Sequence, residues 1–130
     1  MPVYLNNKLM KHVSDNHDYV LQKVRLAIEA NLDNDRFSIA TLLKNVSISR
    51  SDLHRRLSRA FDMSTTEYIR FIRLNKAARH LLEQPEKSIY AVAMEVGFKD
   101  HAYFTKRFRE LYKVSPVEYR KISDGKALIS

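Results

Sequence analysis

The chain has 130 residues, of which 45% are hydrophobic, so it is long enough to bury the core of one compact domain and too short to favour two. Lysine and arginine number 23 against 15 acidic residues, and the formal charge of +8 favours a polyanionic partner. The lack of cysteine excludes disulfides, thiolate metal sites and a cysteine nucleophile. The sequence has no signal-peptide core and no apolar run near the ~20 residues that span a bilayer, which indicates a cytoplasmic protein without membrane contact.

The predicted fold class is all-α, because glycine occurs only twice and proline three times while apolar residues recur at spacings of three and four. Residues 1–14 lack this periodicity and are interpreted as a linker or disordered arm. A first helix is expected from about residue 15 to residues 33–35. Ser38 and Ser49 are predicted to cap the second and third helices, the latter running to about residue 61. The apolar stripe of the first helix comprises Tyr19, Val20, Val24, Ala27, Ile28 and Leu32.

The longest predicted helix begins at Ser64, where Glu67 completes a capping box, and it ends before Pro85. Two further helices are expected over about 88–96 and 100–112. Ser115 caps a seventh helix with Pro116 at its first position, and residues 123–130 are interpreted as a tail. The stripe of the long helix comprises Tyr68, Ile69, Ile72, Ala77, Leu81 and Leu82.

One short pattern occurs twice in the chain. Residues 38–46 align with residues 88–96 at an offset of 50, and one extra residue then raises the offset to 51, so that Ser49 aligns with Asp100 and Leu57 with Phe108. A helix, a short turn and a capped second helix form the helix-turn-helix pattern, whose second helix enters the DNA major groove. Because two copies are too few for a solenoid, we predict two helix-turn-helix subdomains, at about 38–61 and 88–112, joined by the long linker helix.

The second helix of each copy has a basic face opposite its apolar stripe. Arginine and lysine can bind guanine O6 and N7, while hydroxyl and imidazole groups bind base edges or phosphates. For a single copy, a solvated basic face is an equally good interpretation. The predicted DNA-contacting residues are Ser51, His54, Arg55, Ser58 and Arg59 in the first copy and His101, Ala102, Tyr103, Thr105, Lys106 and Arg109 in the second.

The length of the linker helix favours DNA reading by both copies. A helix of about 20 residues is about 30 Å long, close to the one-turn repeat of B-DNA of about 34 Å. The second helices could then enter successive major grooves. We therefore predict a monomer that binds an asymmetric bipartite site of about 20 base pairs.

Residues 88–121, SIYAVAMEVGFKDHAYFTKRFRELYKVSPVEYRK, resemble the signature of AraC/XylS-type transcription regulators. The resemblance implies a homeodomain-like fold, transcription regulation through double-stranded DNA, and RNA polymerase as a further partner. It adds Arg107 to the DNA-contacting residues, although Arg56, Arg73 and Arg107 match family positions that are structural as much as DNA-facing. The matching residues are Ile89, Val92, Ala93, Val96, Gly97, Phe98, Tyr103, Phe104, Arg107, Phe108, Ser115, Pro116, Tyr119 and Arg120, and upstream Leu53, Arg56, Tyr68, Ile69, Arg73, Leu74, Ala77, Leu81 and Leu82.

The chain departs from the family pattern at three positions where glycine is usual, namely Ser47, Asp62 and Lys113. A left-handed residue other than glycine costs on the order of 1 kcal/mol, so the first unit is expected to dock differently. Residues 18–39 resemble the helix that begins the output domain of hybrid two-component regulators. This favours an output-domain fragment over a stand-alone regulator, with the DNA-binding domain over residues 15–122.

The helix N-termini near Ser38, Ser64 and Ser88 are expected to hold DNA phosphates, because free backbone amides there bind anions. The five histidines have no metal-ligand or catalytic spacing and the chain has no glycine-rich phosphate loop, so we expect no catalysis, no metal and no cofactor. The alternative function is a basic helical module that binds RNA or another polyanion. An anionic-membrane binder would instead present one amphipathic helix.

Overall fold

The computed structural model describes residues 18–34 and 36–123, and over these residues it contains seven helices and no strand, which confirms the predicted all-α class. In chain order they are α1 (Tyr19–Glu29), α2 (Ile39–Val46), α3 (Arg50–Phe61), α4 (Thr65–Glu83), α5 (Ile89–Glu95), α6 (His101–Tyr112) and α7 (Pro116–Ser123). The predicted arm over 1–14, the start of the predicted domain at 15–17 and positions 124–130 of the predicted tail lie outside the described residues. Ser123, the first residue of that predicted tail, is the last residue of α7.

Every predicted cap forms its hydrogen bond, because each cap side chain satisfies an amide that has no partner inside its own helix. The side chains of Ser38, Ser49, Ser88 and Asp100 accept from the amides of Thr41, Asp52, Ala91 and Tyr103. Ser64 with Glu67, and Ser115 with Glu118, form reciprocal capping boxes. In α1 the cap is Asp18, whose carboxylate accepts from the amides of Val20 and Leu21.

The chain divides into two compact units, residues 1–72 (unit 1) and 73–130 (unit 2), so it has two cores rather than the single one that its length favoured. In unit 1, α1 packs against α2. The core of unit 1 is mainly aliphatic, and the burial of its apolar surface is the main stabilising contribution. It includes Leu21, Val24, Ile28, Leu42, Leu53, Leu57, Phe61, Tyr68 and Ile72.

Unit 2 has an aromatic core, in which α6 packs against both α5 and α7. The ring centroids of Phe108 and Tyr112 are 4.5 Å apart, and that of Tyr119 lies 5.5 Å from Phe108 and 5.0 Å from Tyr112. Burial raises the pKa of the Tyr112 phenol, whose hydroxyl donates to Asn75 Oδ1 at 2.7 Å. Aromatic pairs at these distances add stability beyond the area that they bury.

Two residues of the predicted apolar stripes are exposed. Tyr19, at the first position of α1, is 76% exposed, and Leu82, in the last turn of α4, is 41% exposed. In α1 the buried positions are Leu21, Val24 and Ile28, so the stripe includes Leu21, which the prediction left out. Since successive residues differ by 100° around a helix, burial of Leu21 and of Leu81 turns Tyr19 and Leu82 away from the core.

Candidate nucleic-acid interface

The two helix-turn-helix units form the same turn between their helices. In unit 1, Ser47 has a φ of 57° and the Ile48 amide donates to the Leu43 carbonyl at 3.2 Å. In unit 2, Gly97 has a φ of 96° and the Phe98 amide donates to the Ala93 carbonyl at 3.0 Å. These bonds correspond at the offset of 50, so serine in place of glycine preserves the hydrogen bond that closes the first helix.

The repeat extends beyond the predicted units of 38–61 and 88–112. After α3 and α6, Asp62 and Lys113 are both left-handed, with φ of 56° and 68°. Their amides donate to the carbonyls of Ser58 and Arg109 at 3.0 and 2.8 Å. The capping boxes that follow, and the paired Tyr68 and Tyr119, keep the offset of 51, a signal that the sequence already contained. The repeated element is therefore a helix-turn-helix followed by the start of a third helix, which is α4 in the first copy and α7 in the second.

All the residues predicted to contact DNA on α3 lie on one solvent-facing side. Leu53 and Leu57 are fully buried, and they occupy the opposite side of the helix. The Arg55 side chain is 66% exposed. The exposed candidates are Ser51, His54, Arg55, Ser58 and Arg59.

A chain of ion pairs connects this face of α3 to the start of α1. Asp52 accepts from Arg55 Nη2 on Oδ1 at 2.5 Å and from Arg56 Nε on Oδ2 at 3.2 Å. Arg56 Nη1 also lies 3.3 Å from both carboxylate oxygens of Asp18, the cap of α1. The hydrogen bond to Asp52 is the main cause that raises the pKa of Arg56. Arg56 therefore serves the packing of unit 1, and the residues that sequence reasoning missed here are Asp52 and Asp18.

On α6 the candidate residues also lie opposite the buried face, where Phe104 and Phe108 are fully buried. His101, Ala102, Tyr103, Lys106 and Arg109 are exposed, whereas Thr105 and Arg107 are half-buried. Within the described residues, no carboxylate forms an ion pair with Lys106. Lys106 aligns with Arg55 at the offset of 51, so the corresponding cations of the two units differ in their acidic partners.

Arg107 lies along α6 and not on its outermost face. Its Nη1 donates to Glu110 Oε1 at 3.1 Å, and its guanidinium carbon lies 5.2 Å from the centroid of the Tyr103 ring. The neighbouring Tyr103 side chain is the main cause that raises the pKa of Arg107. Arg109 is 64% exposed and lies 3.8 Å from Glu118 Oε1. Of the basic candidates on α6, Lys106 and Arg109 are therefore the more accessible.

Two other arginines stabilise unit 2 through hydrogen bonds to backbone carbonyls. Arg73 Nη1 donates to the carbonyl of Val96 at 2.7 Å, at the end of α5, and burial lowers the pKa of Arg73. Arg120 Nε donates to the carbonyl of Leu81 at 2.9 Å, which connects α7 to α4. Both guanidinium groups hold carbonyls near helix ends, so their role is structural.

The three predicted phosphate positions are not equivalent. Neither α2 nor α5 has an acidic residue in its first turn, behind the caps Ser38 and Ser88. At the start of α4, by contrast, the amide of Ser64 already donates to Glu67 Oε1 at 3.0 Å. A carboxylate at this helix N-terminus occupies the place that a phosphate would take and adds negative charge there.

The histidines that the structure describes are separate from one another. His54 and His101 are exposed on α3 and α6. His80 lies 3.4 Å from Glu95 through Nδ1, and Lys87 also pairs with Glu95. Over the described residues, no group of three metal-ligating side chains occurs, and none of the helices is long and apolar enough to cross a membrane.

Comparison with known proteins identifies the family of the segment that contains both helix-turn-helix copies. A family model described as a helix-turn-helix domain matches residues 42–122. An uncharacterized HTH-type transcriptional regulator of Haemophilus influenzae is 35% identical over 104 residues, which cover 80% of this chain and 34% of that protein. The chain spans about a third or less of the length of the curated relatives that it matches first.

Solved structures give the same result. The DNA-binding domain of AdpA, a global transcriptional factor, in complex with a target DNA has a TM-score of 0.67 and 27% identity, over 84% of this chain and 96% of that chain. The C-terminal domain of the two-component response regulator yesN from Fusobacterium nucleatum has a TM-score of 0.62 and 28% identity, over 75% and 93% of the two chains.

Proposed function

Because the chain belongs to the AraC/XylS-type family of helix-turn-helix transcription regulators, we propose that it regulates transcription by inserting α3 and α6 into successive major grooves of one DNA duplex. The observation that carries this proposal is the duplication. The same turn is followed, in each unit, by a capped helix with a buried apolar side and an exposed basic side. One basic helix face is commonly only solvated, whereas two at corresponding positions favour a common ligand.

Arg55 and Lys106 are the proposed main readers of base sequence, since both are exposed and each can bind guanine O6 and N7. Polar neighbours bind base edges or phosphates, and Ala102 offers an apolar contact to a thymine methyl group. Arg107 packs against the Tyr103 ring and is proposed to contact the DNA backbone. The remaining proposed contacts are Ser51, His54, Ser58, Arg59, His101, Thr105 and Arg109.

Phosphate binding is assigned to helix N-termini, where free amides attract anions. The ends capped by Ser38 and Ser88 suit this role, since α2 and α5 have no acidic residue in the first turn. The end capped by Ser64 needs its capping box to open, because Glu67 already accepts from the Ser64 amide. We therefore rank Ser64 below the other two as a phosphate contact.

We further propose that the chain is the output domain of a larger regulator of the hybrid two-component type. The similarity to a response-regulator C-terminal domain and the small share of each relative that the chain spans support this proposal. Residues 15–122 would then form the DNA-binding domain, after a linker at 1–14 and before a tail that begins after Ser123, the last residue of α7. It would act in the cytoplasm as a monomer, without catalysis and with RNA polymerase as second partner.

Selection of binding sites from random duplex DNA tests the proposal, followed by titration of the selected site at several salt concentrations. We expect two short sequence blocks about one helical turn apart. A single block would mean that only one unit reads sequence. No enrichment, or stronger binding to RNA of matched length, would overturn the proposal in favour of a module for another polyanion.

A further inference from the structure

We propose that Asp52 is a positioning residue that sets the base preference of unit 1 by fixing the Arg55 guanidinium on the exposed face of α3. This inference rests on the proposed function, in which Arg55 reads a base. The free Arg55 side chain has many rotamers and loses this conformational freedom when it binds DNA. A group that orders the side chain in advance therefore favours one contact geometry over others.

The Asp52 carboxylate is divided between two arginines. Oδ1 accepts from Arg55 at 2.5 Å, and Oδ2 accepts from Arg56 at 3.2 Å. Since each oxygen has its own cation, the carboxylate cannot rotate to favour one partner without releasing the other. The Asp52 side chain is only 23% exposed, whereas Arg55 is 66% exposed. The carboxylate therefore holds one terminal nitrogen of the Arg55 guanidinium, while most of the Arg55 side chain stays accessible.

Arg56 anchors this arrangement to a second helix. Its Nη1 lies 3.3 Å from both oxygens of Asp18, which caps α1 through the amides of Val20 and Leu21. Asp52 is thus held by a cation that is itself fixed at a helix N-terminus. The chain of pairs runs from α1 through Arg56 and Asp52 to Arg55, and it ends at the surface proposed to meet DNA.

Binding of Asp52 leaves most of the Arg55 donors available. Guanidinium has five N–H groups in a planar fork, and the bond to Asp52 uses one on Nη2. The remaining donors suffice for a bidentate contact to guanine O6 and N7. The negative charge of Asp52 also disfavours close approach of phosphates, so the residue weakens binding to unrelated sequences while it directs Arg55 to a base.

Among the described residues of unit 2, no carboxylate holds the corresponding cation in this way. At the offset of 51, Asp52 aligns with Tyr103, whose ring lies 5.2 Å from the guanidinium carbon of Arg107. Lys106, the counterpart of Arg55, has no acidic partner among the described residues. The effect of Asp52 should therefore be confined to the sequence block that unit 1 reads.

The test compares Asp52→Asn with the control variant Glu29→Gln. Glu29 lies on α1 of unit 1, and its replacement also removes one negative charge and one i,i+4 ion pair. Dissociation constants are measured for the selected site, for the site with each base pair of the unit 1 block changed, and for random duplex. We expect Asp52→Asn to lower discrimination about 10-fold at one base pair and to strengthen binding to random duplex. Glu29→Gln should leave discrimination within about 2-fold of the wild type.

Variants of Arg55 separate positioning from a structural role. If Asp52 acts through Arg55, then Asp52→Asn in an Arg55→Ala background should cause no further loss of discrimination, and Asp52→Glu should retain most of it. The inference is overturned if Asp52→Asn keeps full discrimination, or if its effect is the same size without Arg55. Failure of the proposed function looks different, because the wild-type chain would then discriminate at no base pair.

Discussion

In unit 1 the turn before α3 contains Ser47, and in unit 2 the corresponding turn before α6 contains Gly97, with φ of 57° and 96°. Both turns nevertheless make the same backbone hydrogen bond, to Leu43 and to Ala93. The caps that follow are Ser49 in one unit and Asp100 in the other, and each accepts from the amide three residues on. The shared turn in the two copies thus depends on hydrogen-bonded backbone groups, and it tolerates changes of side chain.

The side chains around this shared backbone differ in kind. The buried side of α3 is formed by Leu53 and Leu57, whereas that of α6 is formed by Phe104 and Phe108. On the outer side, Asp52 connects two arginines in unit 1, and a tyrosine ring contacts Arg107 in unit 2. Two copies of one backbone therefore present an arginine held by a carboxylate and, within the described residues, a lysine without such a partner. The comparison predicts that the units contribute similar geometry and different base selectivity.

The largest expected effect concerns the two cores. Phe108→Ala should destabilise unit 2 by about 3 to 5 kcal/mol and Leu57→Ala should destabilise unit 1 by about 2 to 5 kcal/mol, because each removes a fully buried side chain. Phe108 also loses its ring contacts with Tyr112 and Tyr119. Native-state hydrogen exchange, resolved by residue, would show which unit opens. An unchanged melting temperature for Phe108→Ala would contradict its place in the core.

The next effect concerns the two reading faces. Arg55→Ala and Lys106→Ala should each weaken binding to the selected site by about 1 to 3 kcal/mol, and each should relax preference in only one sequence block. Both side chains are exposed, so the helical circular dichroism spectrum and the melting temperature should stay at wild-type values. A variant that unfolds would show that its residue is structural and that the assignment of the face is wrong.

Sequence reasoning succeeded where the cause is local. The caps Ser38, Ser49 and Ser115, the capping box of Ser64 with Glu67 and the buried faces of α3 and α6 follow from residues three or four positions apart, and these were predicted. The cap Asp18 and the capping box of Ser115 with Glu118 have the same local cause but were not predicted. Tyr19 was misplaced, because a stripe including Leu21 is equally compatible with the spacing. The pairing of Asp52 with Arg55 and Arg56 is readable as i,i+3 and i,i+4 contacts, yet it was missed.

The long-range contacts had no such signal. Arg56 meets Asp18 across 38 positions, and Arg73 reaches the Val96 carbonyl across 23. The family resemblance marked Arg56 and Arg73 without deciding between DNA contact and packing, and only the folded arrangement assigns them to packing. The base contacts depend on the DNA as well as on this chain. The exposure of most candidate side chains on α3 and α6 supports the proposal that these residues bind DNA.

Exchanging the residue types at the two turns should have a smaller effect on stability, of opposite sign in the two units. Ser47→Gly should stabilise unit 1 by about 0.5 to 1 kcal/mol, since glycine adopts positive φ without the steric cost that serine carries. Gly97→Ala should destabilise unit 2 by about 1 to 2 kcal/mol, because a φ of 96° lies further from the left-handed region that other residues tolerate. Thermal melts of the paired variants measure both. Opposite signs support the shared turn, and equal destabilisation would show that Ser47 has a compensating role.

The smallest expected effect is a loss of stability in unit 2 at acid pH. The hydrogen bond from the Ser115 amide is the main cause that lowers the pKa of Glu118, and the hydrogen bond from Lys87 is the main cause that lowers the pKa of Glu95. A carboxyl whose pKa is lower in the folded state stabilises the fold above its unfolded value, near 4.3, and that contribution disappears as the pH falls through the folded pKa. Glu118 is exposed and Glu95 is partly exposed, so solvent screens both interactions and the change should be slight.

Melts of the wild type between pH 6 and pH 3 should therefore show a modest decline that is weaker in Glu118→Gln and weaker still when Glu95→Gln is added. Hydrogen exchange should locate the loss at the start of α7 and at the contact of Lys87 with α5. Glu118→Gln should also be slightly less stable than the wild type at pH 6, since the amide is a poorer acceptor for the Ser115 N–H than a carboxylate. Parallel declines in the wild type and the double variant would mean that other carboxylates cause the acid sensitivity of unit 2.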